Sequence, residues 1–111
     1  MKGNAMATKL VYVTTPSVME AKKIGRTLVE NRLAACVNIL NTIESLFWWE
    51  GEVQEAREAA FIAKTTEILV PELIAAVKKH HSYDCPCIVT LDIEAGNPDF
   101  LKWIADETDR S

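Results

Sequence analysis

Residues 52–64, EVQEAREAAFIAK, decide the fold. Nearly every position is a strong helix former, so intrinsic propensity alone predicts a helix. The neighbouring sequence points the other way. Residues 33–49 are rich in Val, Ile, Leu and aromatics, with Asn38, Asn41 and Glu44 interspersed, which is the pattern of a long strand with one irregularity. Glu50-Gly51 then follows two tryptophans as a hairpin-turn signal, though a weaker one than Asn-Gly. If residues 52–64 pair back across that turn they form a strand; if propensity rules, a helix interrupts the sheet.

The elements on either side favour pairing. Residues 9–15, KLVYVTT, are rich in β-branched side chains and end at Pro16, a buried-strand signal. Ser17 stands three residues before Glu20, the capping-box spacing, and Val18, Ala21, Ile24, Leu28 and Val29 recur with helical period toward Arg32. Gly25 weakens that helix by about 1 kcal/mol relative to Ala, which implies compensating packing or a close backbone approach. Residues 67–81 read as a helix, with Ile68, Leu73, Ile74 and Val77 on one side and Pro71 in the first turn. Lys78, Lys79, His80 and His81 crowd its last turn, where cations oppose the negative end of the dipole. Residues 86–93 form the next strand, and Asn97-Pro98 caps and starts a final helix striped by Phe100, Leu101 and Ile104, with Trp103 at the edge. With the ambiguous segment as a strand, the order becomes a split βαββαβ arrangement of the α+β class. Its long hairpin overhangs so small a domain and leaves strand edges that self-association would cover.

With 111 residues, 49% of them hydrophobic, the chain suits one compact domain. We assign residues 1–8 to an N-terminal leader, with Met6 an equally good start, and residues 9–108 to the domain. The net charge of -4 provides no basic field for phosphates, so nucleic acid is not an expected partner. No apolar run has bilayer-spanning length and the first residues lack a secretory core, which predicts a cytoplasmic protein and no membrane partner. An odd count of three cysteines argues for reduced thiols, with Cys36 a small buried side chain in an apolar stretch.

The chemically loaded segment is His80-His81-Ser82-Tyr83-Asp84-Cys85-Pro86-Cys87. Its sulfur and nitrogen donors suit Cu(I) or Zn(II), with Asp84 able to orient an imidazole. Against a metal, the C-x-C spacing is not a zinc-finger knuckle and no second donor pair completes four ligands. The plainer reading is a helix end followed by a strand start. Thiol redox chemistry would need a stabilised thiolate and lacks C-x-x-C. No Ser-His-Asp order, paired-carboxylate motif or phosphate-cradling glycine loop is present, so no catalytic residue is assigned and no cofactor is required.

Five ordered stretches carry a family resemblance: RLAACVNI at 32–39, WWEGE at 48–52, Lys64-Thr65-Thr66, His81-Ser82-Tyr83 and Phe100-Leu101-Lys102-Trp103-Ile104. Together, across residues 10–104, the chain resembles the CutA-type divalent-cation tolerance family. The resemblance implies a ferredoxin-like fold assembled as a homotrimer, similar in architecture to the PII signalling proteins, and it makes residues 52–64 a strand against propensity. It also implies tolerance to copper or other divalent ions. The chain departs from the family's HPYExPE-like segment, with Ser82 for Pro, Asp84 for the first Glu and Cys87 for the second. The last change replaces a hard oxygen with a soft sulfur.

Two non-enzymatic readings follow. In the first, a trimeric tolerance protein binds a metal ion, copper or another divalent one, through His81, Cys85 and Cys87. In the second, a PII-like sensor holds a small anionic ligand in an inter-subunit cleft through Trp49, Glu58, Lys64 and Tyr83, positions that match the family's. Interface packing for Trp48 and Trp49, and a surface ion pair for Glu58 and Lys64, are the plainer alternatives.

Overall fold

The computed structural model describes residues 7–110, and residues 1–6 of the expected leader lie outside them. Strand β1 (Thr8–Thr15) leads into helix α1 (Val18–Glu30), then the hairpin β2 (Cys36–Trp49) and β3 (Glu52–Thr66). A 3-10 turn (Glu67–Leu69) precedes α2 (Val70–His80), followed by β4 (Ile88–Asp92) and α3 (Pro98–Glu107). The sheet runs β2-β3-β1-β4 with every pair antiparallel. This is the ferredoxin-like split βαββαβ order in an α+β domain.

Residues 52–64 are therefore strand, and the helix that propensity favours does not form. Packing overrides it: Ala59, Phe61 and Ala63 alternate onto the face covered by α1 and α2, all within 1% of full burial. There they meet Val11 and Val13 of β1, Ala21, Ile24 and Leu28 of α1, and Leu73 and Val77 of α2. Each fully buried Val, Leu, Ile or Phe side chain contributes about 1.5–3 kcal/mol, more than the sub-kilocalorie differences in helix propensity.

Gly25 shows what its position requires. A Cβ there would stand 2.9 Å from Val37 Cγ1, so α1 lies against β2 at a distance that only glycine permits. Ser17 caps α1, its hydroxyl accepting the Glu20 N–H at 3.1 Å. Asn97 Oδ1 likewise accepts the Asp99 N–H at 3.0 Å, with Pro98 in the first turn of α3. Helix α3 is tied back by Arg32, which donates to the Glu107 carbonyl at 2.8 Å, while Arg110 forks onto Glu72 at 2.7 and 3.1 Å. Lys64 alternates with the core-facing Ala63 and Thr65, so Phe100, whose ring centre is 5.9 Å from Lys64 Nζ, lies on the sheet face away from α1 and α2.

Several boundaries differ from expectation. Residues 33–35 precede β2 rather than belonging to it, and α1 stops at Glu30. The 3-10 turn before α2 shifts the helical phase, leaving Ile68 68% exposed instead of on the buried side. β4 begins at Ile88, two residues later than expected, because Pro86 has no N–H to donate to a ladder. Cys36 is half-buried rather than buried.

The hairpin is the unusual part. β1 pairs with β3 only from Thr15↔Ala59 to Thr8↔Thr66, so residues 52–58 are bonded to β2 alone. At roughly 3.4 Å per residue that overhang is about 24 Å long, within a molecule whose longest extent is 45 Å. Glu50 (φ 52°) and Gly51 (φ 81°) both take positive φ, as a type I′ turn demands. The expected irregularity is a β-bulge: Leu40 pairs with Ala60 and Ile43 with Glu58, so Asn41 and Thr42 oppose Ala59 alone.

Candidate functional site

That bulge chooses the site's side chains. Because strand side chains alternate with period two, one extra residue exchanges the two faces of everything beyond it. Without it, Glu44, Leu46 and Trp48 would share a face with Glu58; with it, Ile43, Ser45, Phe47 and Trp49 do, opposite Glu58, Ala56, Gln54 and Glu52. Trp49 and Phe47 accordingly line a cleft of about 710 Å³, whereas Trp48 does not and is 74% exposed.

The other wall is the segment between α2 and β4, with Ser82, Tyr83, Asp84, Cys85 and Cys87 all lining the cleft. This segment has no regular structure of its own and is held by three ties. His81, whose side chain is fully buried, donates from Nε2 to the Thr14 carbonyl at 2.7 Å, and its Nδ1 accepts the Tyr83 N–H at 3.0 Å. Tyr83 donates its phenol proton to Glu58 Oε2 at 2.7 Å. Glu20 Oε2 accepts both the Ser82 N–H at 2.9 Å and the Ser82 hydroxyl at 3.0 Å, and lies 3.5 Å from His81 Nδ1. Burial, and then the hydrogen bond to Glu58, push the Tyr83 phenol up to about 12 from its ordinary 10.0. Tyr83 therefore stays a neutral donor throughout the physiological range.

The sequence-derived candidates divide. Trp49, Glu58, Tyr83, Cys85 and Cys87 converge on the cleft. Lys64 does not line it; six residues further along β3, it donates to Asn38 and sits beside Phe100. His81 turns inward with both ring nitrogens engaged, which leaves none free to ligate an ion in this arrangement, while His80 is exposed. Both Cys85 and Cys87 are exposed free thiols. Among the described residues, no group of three or more His, Cys, Asp or Glu side chains is placed to hold a metal ion. One protomer thus offers a pair of soft donors but not a completed coordination set. Sequence reasoning missed Phe47 and Ser45, which the bulge in β2 turns toward the cleft, and Gln54 opposite Phe47, and it read Glu20 only as a cap partner.

The lining has a definite electrostatic sign. Glu58 and Asp84 contribute carboxylates and Cys85 and Cys87 thiols, and among the described residues neither Lys nor Arg lines the cleft. An aromatic wall with convergent polar groups is how small ligands are held, and this one is arranged for positive charge.

Fold and cleft together define a ferredoxin-like α+β binding domain with an overhanging hairpin. The model of the family described as CutA1 divalent ion tolerance protein matches residues 9–107, and the chain belongs to that family. The divalent-cation tolerance protein CutA of Archaeoglobus fulgidus is 49% identical over 98 residues, covering 88% of this chain and 94% of its own. That of Thermus thermophilus is 43% identical over 100 residues, covering 90% and 97%. Among solved structures, CutA1 from Oryza sativa superposes with a TM-score of 0.92 at 40% identity, covering 97% of this chain and 99% of that one. The Archaeoglobus structure, described as a periplasmic divalent cation tolerance protein, gives 0.89 at 44% identity, covering 92% and 99%. No helix among the described residues is long and apolar enough to cross a membrane.

Proposed function

We propose that the chain is a non-enzymatic, homotrimeric metal-tolerance protein that captures a thiophilic cation, Cu(I) or Zn(II), at the cleft, with Cys85 and Cys87 as its first donors. The observation that carries this reading is the lining itself: two carboxylates and two thiols, with no cationic side chain among the described residues. Carboxylates raise the local concentration of a cation, and the softer thiolates select among cations. The membership of a divalent-ion tolerance family agrees with it. Further donors, and His81 if its ring is released from Thr14, would come from neighbouring copies or from rearrangement of the segment.

Assembly is part of the proposal. The overhanging half of the hairpin exposes Leu46, Trp48, Trp49 and Val53, and the edge strand β4 exposes Val89 and Leu91. Cyclic closure covers such edges, where open association would propagate them. A reducing compartment such as the cytoplasm keeps three free thiols available.

The PII-like reading, a sensor of a small anion, ranks second. Its cation, Lys64, is bonded to Asn38 outside the cleft, and an anion entering would face Glu58 and Asp84. Anaerobic calorimetric titration separates the two. Cu(I) should bind the parent, bind more weakly as pH falls because thiolates must form, and lose affinity by orders of magnitude in the Cys85→Ser, Cys87→Ser double variant. Equal affinity in parent and double variant would remove the thiols from the site.

A further inference from the structure

Between α2 and β4 the chain must present two thiols with no regular structure to hold them. Among the described residues Asp84, Cys85 and Cys87 make no side-chain hydrogen bond, so the position of the thiols is inherited from ties at the start of the segment. One of these ties comes from an unexpected place. Glu20 lies in the first turn of α1, its N–H fixed by Ser17 Oγ, at the spacing where a capping-box carboxylate would fold back on its own helix. Its Oε2 reaches instead across 62 residues of sequence to Ser82, accepting both the N–H at 2.9 Å and the hydroxyl at 3.0 Å. The Glu20 side chain is 19% exposed, while Ser82 stands at the surface.

We infer that Glu20 is a positioning residue for the thiol segment, and that Ser82 is what allows it to act. The residue type at 82 matters in a specific way. A proline at 82 would have neither an N–H nor a hydroxyl and would offer Glu20 nothing to accept. Serine offers both, so the segment that carries Cys85 and Cys87 also carries the residue through which α1 grips it. Rigid first-turn attachment of Glu20, two donors converging on one oxygen, and the adjacent ties of His81 to Thr14 and Tyr83 to Glu58 define where residue 83 leaves the core and the segment enters the cleft wall.

The segment's order can be measured without a metal, and the metal arm rests on the proposed function. Amide hydrogen exchange at residues 83, 84, 85 and 87 is compared in the full-length parent, Ser82→Pro, Ser82→Ala and Glu20→Ala, alongside the melting temperature. Ser82→Pro and Glu20→Ala, which remove the donors and the acceptor respectively, should speed exchange there by about tenfold or more, with β1 and β3 protection and melting temperature unchanged; Ser82→Ala, which keeps the N–H bond, should lie between them and the parent. Anaerobic competition for Cu(I) should weaken in the same order, by about ten- to a hundredfold in the proline variant, as expected when a group that orients ligands is lost. Unchanged exchange at these amides in both Ser82→Pro and Glu20→Ala would overturn the inference. Ser82→Pro leaves α1 untouched, so its result stands even if Glu20→Ala destabilises the helix. A parent that binds no Cu(I) would refute the cation reading alone, with the exchange result still deciding the role of Glu20.

Discussion

The two halves of β3 are one strand in two physical situations. Residues 59–66 pair with β1, those from 60 to 64 pair with β2 as well, and Ala59, Phe61 and Ala63 are buried under two helices. Residues 52–58 pair on one side only, and Val53 is 57% exposed. Composition alone would make both halves helical. Burial is what makes the first a strand, while the second is extended because the I′ turn and the β2 register carry it past the end of β1. The buried half anchors the fold within a single protomer. The overhanging half supplies the cleft and, in the proposed trimer, contacts to other copies.

Substitutions in the two halves should separate accordingly. Phe61→Ala, at a fully buried site, is expected to cost about 3–5 kcal/mol in denaturant unfolding. Trp48→Ala, although it removes a larger side chain, should leave secondary structure intact and act on assembly, since Trp48 is 74% exposed in the protomer. A Phe61→Ala loss no larger than that of Trp48→Ala would break the comparison. Gly25→Ala comes next: its methyl would stand 2.9 Å from Val37, and overpacking of this kind costs about 1–3 kcal/mol, read from the same unfolding curves. At the hairpin tip the sign reverses. Glu50 holds a positive φ that Asn tolerates better, so Glu50→Asn should stabilise by about 0.5 kcal/mol.

A smaller effect lies in the pH dependence at the base of the hairpin. The Tyr83 phenol is raised in the folded chain, so folding favours its protonated form. That contribution is complete below the ordinary value of 10.0 and is lost as pH climbs from there to about 12. Tyr83→Phe should flatten this part of the stability profile in denaturation series across that window. An unchanged slope would show that the phenol is not held by Glu58 in solution.

Much of this organisation was legible where one residue type has one local job. Ser17 and Asn97 cap their helices, Pro71 sits in a first turn, Glu50-Gly51 turns the hairpin, and Gly25 admits a close approach, all as their chemistry requires. Residues 52–64 had to be argued from topology, because no local property identifies a strand made of Glu, Ala and Arg. The cleft was half legible. Tyr83 and Glu58 meet, but Phe47 joins them through a bulge whose position no propensity specifies. Lys64 was assigned from the family resemblance and His81 as a nitrogen donor, and each finds a partner that sequence could not name: Asn38 on the neighbouring strand and the Thr14 carbonyl. Glu20 was visible as a cap and invisible as a long-range acceptor, since the same spacing serves both.

The central claim is that the overhanging half of the hairpin is an assembly element completed by other copies of the chain. Native mass spectrometry of the untagged protein at micromolar concentration tests it most directly. The account requires chiefly a trimer, with Trp48→Ala shifting mass toward smaller species; a parent that is chiefly monomer or dimer would contradict it.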